Sequence, residues 1–251
     1  MWNTIILEPM INALIFIYGL LGQNFGWAII VFTALVRLIT LPLTMQQMRS
    51  TMVMQEIQSS SRYKKMQEKY KKDKQKLSEE QMKLFRDVGY NPMSGCLGLI
   101  IQFPIIIGLY QAVIRTLAAT PVQLFDLSKL LYPFTPTSLI PMNSQFLWMN
   151  LGQPERWEPE FLPFAIPVLT ILVVITTYLQ TKLTTPASPD SQSQAMTQMM
   201  GLYMPLLLGY FAYSLASGLA LYFFVSNLLG IVQGYIMRRL RERPASKAVS
   251  I

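Results

Sequence analysis

The sequence contains no histidine and a single cysteine, Cys96. The first absence excludes a Ser-His or Cys-His nucleophile pair, a His-ligated metal and the HExxH zinc signature. The second excludes an internal disulfide and leaves the redox compartment open. Cys96 reads as a small apolar packing residue. The flanking Met93-Ser94-Gly95 is slightly like a lipid-attachment box, but it stands far from the N-terminus and is not read as one. Charge is scarce as well: 14% of the 251 residues are charged, against 52% hydrophobic. Asp73, Asp87, Asp126 and Asp190 all fall in polar stretches. An intramembrane aspartyl site is therefore not expected, and neither is an enzyme. No cofactor, metal or DNA partner is expected.

What the chain does have is long uncharged runs, which mark an integral membrane protein. A bilayer core of roughly 30 Å needs about 20 helical residues at about 1.5 Å each. Five segments meet that length: 24–44, 96–117, 161–182, 196–215 and 218–237. The expected fold class is all-α, a polytopic membrane protein with a five-helix transmembrane core and a cytoplasmic helical hairpin. Residues 1–23 include a further apolar run, Ile5–Leu21, interrupted by Glu8 and Pro9 and lacking the positive start of a signal peptide. They are read as an interfacial helix on the outer side rather than a sixth span.

The net charge of +8 is unevenly placed. Residues 45–95 carry eleven Lys/Arg against six Asp/Glu, a net of +5; residues 238–251 carry five against one, a net of +4; residues 116–160 carry two against four, a net of −2. If the first span runs from outside to inside, the two basic stretches and the short loop 183–195 are cytoplasmic, and the acidic loop 118–160 is outside. That arrangement satisfies the positive-inside rule, with the N-terminus outside and the basic tail 238–251 inside. The stretch 45–95 is rich in Lys, Gln and Glu, which favours helix. It reads as two antiparallel helices joined near Asp73–Leu77. Ser78 and Gln81 form a capping-box pattern that would open the second helix, and Gly89 with Asn91-Pro92 would close it. The loop 118–160, with six prolines, reads as ordered but irregular, resting partly on the membrane through Phe146, Trp148 and Trp157.

Arg37 stands inside the apolar run Gly26–Leu43, where a charge is costly and usually marks function. The usual remedy is a carboxylate on a neighbouring helix, and the five spans have none to offer. Arg37 is therefore expected to face water or uncharged polar groups. It lies seven residues from Thr44, about 10 Å deep, and Gln102 and Asn227 lie about 15 Å deep. Gln180 and Gln233 stand nearer the inner surface. Pro42, Pro104 and Pro205 each remove a backbone hydrogen bond close to these polar groups. The distribution suits a cavity open to the cytoplasm and closed to the outside. Gln, Asn and Pro also serve as ordinary interhelical glue. Methionines such as Met45, Met48 and Met52 suit either packing or partners of varied shape.

These segments resemble the YidC/Oxa/Alb superfamily of membrane protein insertases. Val36-Arg37-Leu38 through Leu41-Pro42-Leu43 is similar to that family's first core helix with its groove arginine. Asn91-Pro92, Gly95-Cys96-Leu97 and Gln102-Phe103-Pro104 through Gly108-Leu109-Tyr110 resemble the second, and Leu162-Pro163 through Gln180 the third. Met199-Met200 with Met204-Pro205 resembles the fourth. Gly218-Leu219-Ala220-Leu221-Tyr222, then Ser226-Asn227 and Gln233, resembles the fifth. Gly98, Ala216-Ser217 and Phe223 depart from residues common in the family. No stretch matches the large periplasmic domain of Gram-negative members, so the likeness is to the compact bacterial form. The resemblance implies a plasma-membrane insertase that moves hydrophobic segments of nascent proteins from the cytoplasm into lipid without nucleotide hydrolysis. It implies a hydrated groove lined by Arg37, Gln102, Asn227, Gln180, Ser226, Gln233, Thr33 and Thr40. Implied partners are nascent membrane proteins, the lipid bilayer, the Sec translocon, the ribosome and the signal recognition particle system. The alternatives are an anion channel or transporter using Arg37 as its selectivity charge, and a structural assembly factor. A channel would be expected to show a ring of charges or broken half-helices, and neither is clear in the sequence.

Overall fold

A computed structural model describes residues 1–70, 73–89, 97–118, 120–156, 166–184 and 191–242, with the backbone alone at 55, 74, 97–101, 191–200, 238 and 240–242. Nine α-helices are present among them: α1 (Glu8–Leu20), α2 (Phe25–Ser59), α3 (Ser61–Tyr70), α4 (Lys74–Asp87), α5 (Leu97–Thr116), α6 (Pro121–Ser128), α7 (Val168–Thr184), α8 (Ser191–Ser214) and α9 (Ser217–Glu242). A π-helical turn, Asn3–Leu7, leads into α1. The only strands among the described residues are β1 (Gln145–Phe146) and β2 (Met149–Asn150), an antiparallel pair. The protein is an all-α membrane protein. Asn3–Leu20, Phe25–Ser59 and Ser217–Met237 are long and apolar enough to cross a bilayer, and Val168–Thr184 is a shorter apolar helix.

Three helices run in one direction. Ile29 meets Gly218, Arg37 bonds Ser226 and Thr44 bonds Gln233, so α2 and α9 advance together at a constant offset of 189 residues. Thr177 bonds Asn227, Gln180 packs on Gly230 and Thr184 on Gly234, so α7 is parallel to both. α5 runs against them: Val113 meets Gly218 at the start of α9, and Gln102, further back in α5, meets Tyr222 further on. Gly209 of α8 lets the Val174 side chain of α7 come close enough that an added Cβ would overlap it. Small residues at such crossings let helices approach in lipid.

The segment 120–156 grips the N-terminal ends of all three parallel helices. At α2, the Phe146 ring occupies the space a Cβ on Gly26 would need, and it meets Trp27 edge-on. At α7, the buried Glu155 carboxylate accepts the backbone N–H of Leu169 at 2.7 Å and of Thr170 at 3.3 Å. At α9, the N–H of Ser217 donates to Gln153 O at 2.8 Å and that of Gly218 to Leu151 O at 3.0 Å. These are donors that a helix N-terminus cannot satisfy internally. Phe146 is thus a packing residue, and the expectation that it rests on the membrane is corrected. Trp148 donates its indole N–H to Glu155 at 2.9 Å. Trp157 lies outside the described residues. α6 opens on a capping box formed by Thr120 and Gln123, so this segment is more regular than its prolines suggest.

α1 packs on the same end. Asn12 donates to Leu130 O and accepts from Tyr132 N, Tyr18 OH accepts from Asn143 N, and Trp2 Nε1 donates to Gln111 of α5.

At the opposite end, α2 does not stop at Thr44 but continues to Ser59. No glycine or proline interrupts 45–59, so nothing in the chain ends the helix where the span would end. α3 and α4 form the expected hairpin around Ile57, Tyr63, Leu84 and Phe85. The turn is at Asp73, whose side chain accepts from Lys76 N and caps α4. Ser78 lies within α4, so the capping-box reading is corrected: the earlier Asp73 takes the free N–H group. Gly89 closes α4 at φ +72°, where a glycine is favoured. α9 runs past Met237 to Glu242, so the start of the basic tail is helical. Asn91-Pro92, Gly95-Cys96, Leu162-Pro163 and residues 243–251 lie outside the described residues.

Candidate functional site

Arg37 sits about a third of the way along α2, on the face turned to α9. Its Nε donates to Ser226 Oγ at 2.9 Å, and its Nη2 donates to Ser226 Oγ at 2.6 Å and to Ser226 O at 2.7 Å. Among the described residues no carboxylate lies within ion-pair distance of it. The guanidinium is half-buried and keeps its charge without a counter-ion, held by one hydroxyl and one carbonyl. Such a cation is poorly compensated, and an incoming anion gains from it.

The cluster extends through α9 to α5. Tyr222 stands one helical turn before Ser226 on α9. Gln102 Nε2 of α5 donates to Tyr222 OH at 2.8 Å. Arg37–Ser226 thus ties α2 to α9, and Gln102–Tyr222 ties α5 to α9 one turn earlier. Tyr222 is buried. It was not singled out as a site residue from the sequence, although its spacing of four from Ser226 places both on one helical face.

The other expected site residues divide by the face they occupy. Asn227, next to Ser226 but about 100° around the helix, turns to α7 and donates to Thr176 Oγ1 at 3.2 Å and Thr177 Oγ1 at 2.7 Å. Gln233 donates to Thr44 Oγ1 at 2.9 Å, two turns beyond the Arg37–Ser226 pair and towards the hairpin. Gln180 lies against Gly230, where an added Cβ would stand 2.5 Å from its Nε2. Thr33 and Thr40 bond the carbonyls of Ile29 at 2.6 Å and Val36 at 2.8 Å on their own helix. This back-bonding satisfies them locally. The structure therefore pairs Arg37 with Ser226, pairs Gln102 with Tyr222 one turn earlier on α9, sets Gln233 along the α2–α9 seam, and directs Asn227 and Gln180 to the α7–α9 seam.

A second polar region lies on the hairpin, where Arg62, Lys65 and Lys69 of α3 and Lys83 of α4 line a cleft floored by Met66 and Leu84. Asp87 pairs with Arg62 at 3.1 Å and Glu80 with Lys83 at 2.6 Å. The Glu80 contact raises the Lys83 pKa above its ordinary value. No group of three or more potential metal ligands occurs among the described residues.

A family model described as "60Kd inner membrane protein" matches residues 16–244. The membrane protein insertase YidC 2 of Bacillus anthracis is 34% identical over 98% of this chain and 84% of its own length. The membrane protein insertase YidC of Oceanobacillus iheyensis is 32% identical, over 95% of this chain and 84% of its own. The membrane protein insertase MisCA of Bacillus subtilis is 32% identical, over 94% and 79%. Among solved structures, an active YidC insertase with its first transmembrane domain resolved is similar with a TM-score of 0.59 and 27% identity; the likeness covers 88% of this chain and 43% of that one. Both the length of the match and the shared helical architecture lead to the same conclusion: the chain belongs to the YidC/Oxa/Alb family of 60Kd inner membrane proteins.

Proposed function

We propose that this bacterial membrane protein is an insertase that moves hydrophobic segments of nascent membrane proteins from the cytoplasm into the bilayer, through a hydrated groove open to the cytoplasm and containing Arg37. The observation that carries the proposal is the Arg37 cation inside an apolar helix, held by Ser226 and by no carboxylate among the described residues. An acidic external tail of a substrate would be drawn to that charge and hydrated by the polar groups around it. The hydrophobic segment would then pass into lipid, its burial driving the step. No bond is made or broken, so no catalytic residue is assigned.

The parallel run of α2, α7 and α9 supports an orientation in which all three cross from outside to inside, with α5 returning. The net charges of the hairpin and tail support a cytoplasmic position for both. Residues 1–23 would then lie at the outer interface, in keeping with the contacts of α1 to Leu130, Tyr132 and Asn143. The basic hairpin would receive substrate, and the basic tail would approach the ribosome; the Sec translocon and the signal recognition particle system are the further partners of this reading. The three relatives are named as insertases, which favours this reading over a channel.

The test is insertion of a small single-span protein into liposomes containing only the purified protein, scored by protease protection. Insertion well above empty liposomes is expected, with Arg37→Glu reducing insertion of acidic-tailed substrates most. Insertion equal to empty liposomes for several substrates would overturn the proposal. Arg37→Glu with unchanged insertion of every acidic-tailed substrate would remove the attraction step.

A further inference from the structure

We propose that the face of α9 turned away from Arg37 binds one anionic phospholipid of the inner leaflet, its phosphate held by Arg239 and Tyr235 and an acyl chain laid along Val232 and Leu228. Only the name of the leaflet rests on the orientation proposed above; the site does not depend on the insertase reading. The contacts of α9 leave this face open. Ser226 and Gln233 turn to α2, and Asn227 turns to α7. Leu228, Val232, Tyr235 and Arg239 follow one another at spacings of four, three and four residues, which puts them on a single helical face. At about 100° per residue that face lies about 120–180° around from Ser226. Leu228, Val232 and Tyr235 are 42%, 55% and 51% exposed, and Arg239 is exposed as well.

The order of side chains along this face follows the depth of a lipid. Gly218 stands at the tied end, its N–H on Leu151 O. Arg239 comes 21 residues later, about 31 Å along the helix, which matches a hydrocarbon core of about 30 Å. Leu228 lies about 16 Å back from Arg239, close to the depth of one leaflet. Aliphatic side chains therefore cover the acyl region, Tyr235 stands where tyrosines collect at the membrane boundary, and the cation meets the phosphates. The exposed Arg49 of α2 is level with this end by the constant offset between the two helices. The Arg239 guanidinium lies over the Tyr235 ring, 4.8 Å from its centroid. Stacking fixes the plane of the guanidinium and leaves its N–H edge free. Among the described residues no carboxylate pairs with Arg239 and the Tyr235 hydroxyl has no hydrogen bond. Two sets of donors one turn apart thus stand open at phosphate level, and phosphate oxygens accept from both. A zwitterionic headgroup brings its own ammonium against the guanidinium. An anionic one does not, so the site favours it.

The experiment titrates the full chain, purified in a neutral detergent, with phosphatidylglycerol or phosphatidylethanolamine of identical acyl chains. Native mass spectrometry reads the apparent Kd of the first bound lipid. The wild-type protein should bind phosphatidylglycerol several-fold more tightly. Arg239→Gln should weaken phosphatidylglycerol roughly fivefold, the worth of one cation at a membrane surface. Tyr235→Leu keeps every charge and should still weaken it roughly two- to fivefold. Arg239→Lys should fall between Arg239→Gln and wild type, because it keeps the charge and loses the planar stack. Affinity for phosphatidylethanolamine should stay constant throughout, which also reports an intact fold. Lys64→Gln, which removes the same charge from an exposed site on α3, should change neither lipid. Equal affinity of the wild-type protein for the two lipids would overturn the proposal and leave Arg239 to the ribosome-facing tail. So would full phosphatidylglycerol affinity in Tyr235→Leu, or a loss in Lys64→Gln as large as in Arg239→Gln, since either result means attraction to net charge without a site.

Discussion

Glu155 offers the sharpest quantitative test of how the loop 120–156 is held. Its carboxylate is 3% exposed and accepts three hydrogen bonds: Leu169 N at 2.7 Å, Thr170 N at 3.3 Å and Trp148 Nε1 at 2.9 Å. It is an anion at the positive end of α7, the sign the helix dipole favours. In Glu155→Ala all three donors lose their acceptor. Trp148 is 43% exposed and can turn its indole to water, and the Thr170 bond is long. The full penalty therefore falls on Leu169, with part of the helix-dipole contribution, for a total of about 3 kcal/mol. Glu155→Gln keeps one acceptor but points an amide NH₂ at a donor, and should cost about 2 kcal/mol. Trp148→Phe removes one donor and should cost about 1 kcal/mol or less. Equilibrium unfolding of the detergent-solubilised protein in a denaturant series reads these differences, provided the slope is unchanged. Glu155→Ala within about 0.5 kcal/mol of wild type, the range of an ordinary surface change, would refute the reasoning.

Three other outcomes follow from local geometry. Gly209→Val should push α7 and α8 apart at Val174 and cost about 1–3 kcal/mol, whereas Gly201→Ala, with nothing within 4 Å of its added Cβ, should not destabilise; the same unfolding assay separates them. Asp73→Ala should cost about 1 kcal/mol by removing the cap of α4, and Ser78→Ala should cost far less; hydrogen exchange of the first-turn amides of α4 reads both. Asn227→Ala should lose about 0.6–1.7 kcal/mol, the range measured for interhelical hydrogen bonds in membranes, and Thr177→Val should add little to it because the two share one bond.

Much of the architecture was legible in the apolar runs, because bilayer thickness converts directly into helix length. The uncompensated state of Arg37 was legible too, since the spans contain no carboxylate to pair with it. Helix ends were read less well. Span length suggested a stop at Thr44, but α2 runs through Pro42, and the chain supplies no glycine or proline between there and Ser59. In α4 the pattern Ser78–Gln81 competed with Asp73, and only the position of the turn decides between them. The division of Ser226 and Asn227 between two seams is a matter of helical phase, derivable once the neighbours of α9 are known. The pairings of Phe146 with Gly26 and of Glu155 with α7 are long-range meetings of a loop with helix ends. No periodicity announces them.

The grip of one loop on the starts of α2, α7 and α9 gives the bundle a pivot. Three parallel rods tied at one end can part only by fanning, and the gap grows with distance from the tie. From Phe25, Arg37 lies about 18 Å along α2 and Thr44 about 29 Å, at about 1.5 Å per residue. A tilt of about 10° would move them sideways by about 3 Å and about 5 Å, on the same rise per residue. The Thr44–Gln233 contact is then the first to part and the Arg37–Ser226 contact opens after it, so the sheaf unzips from the hairpin end while its tied end stays shut.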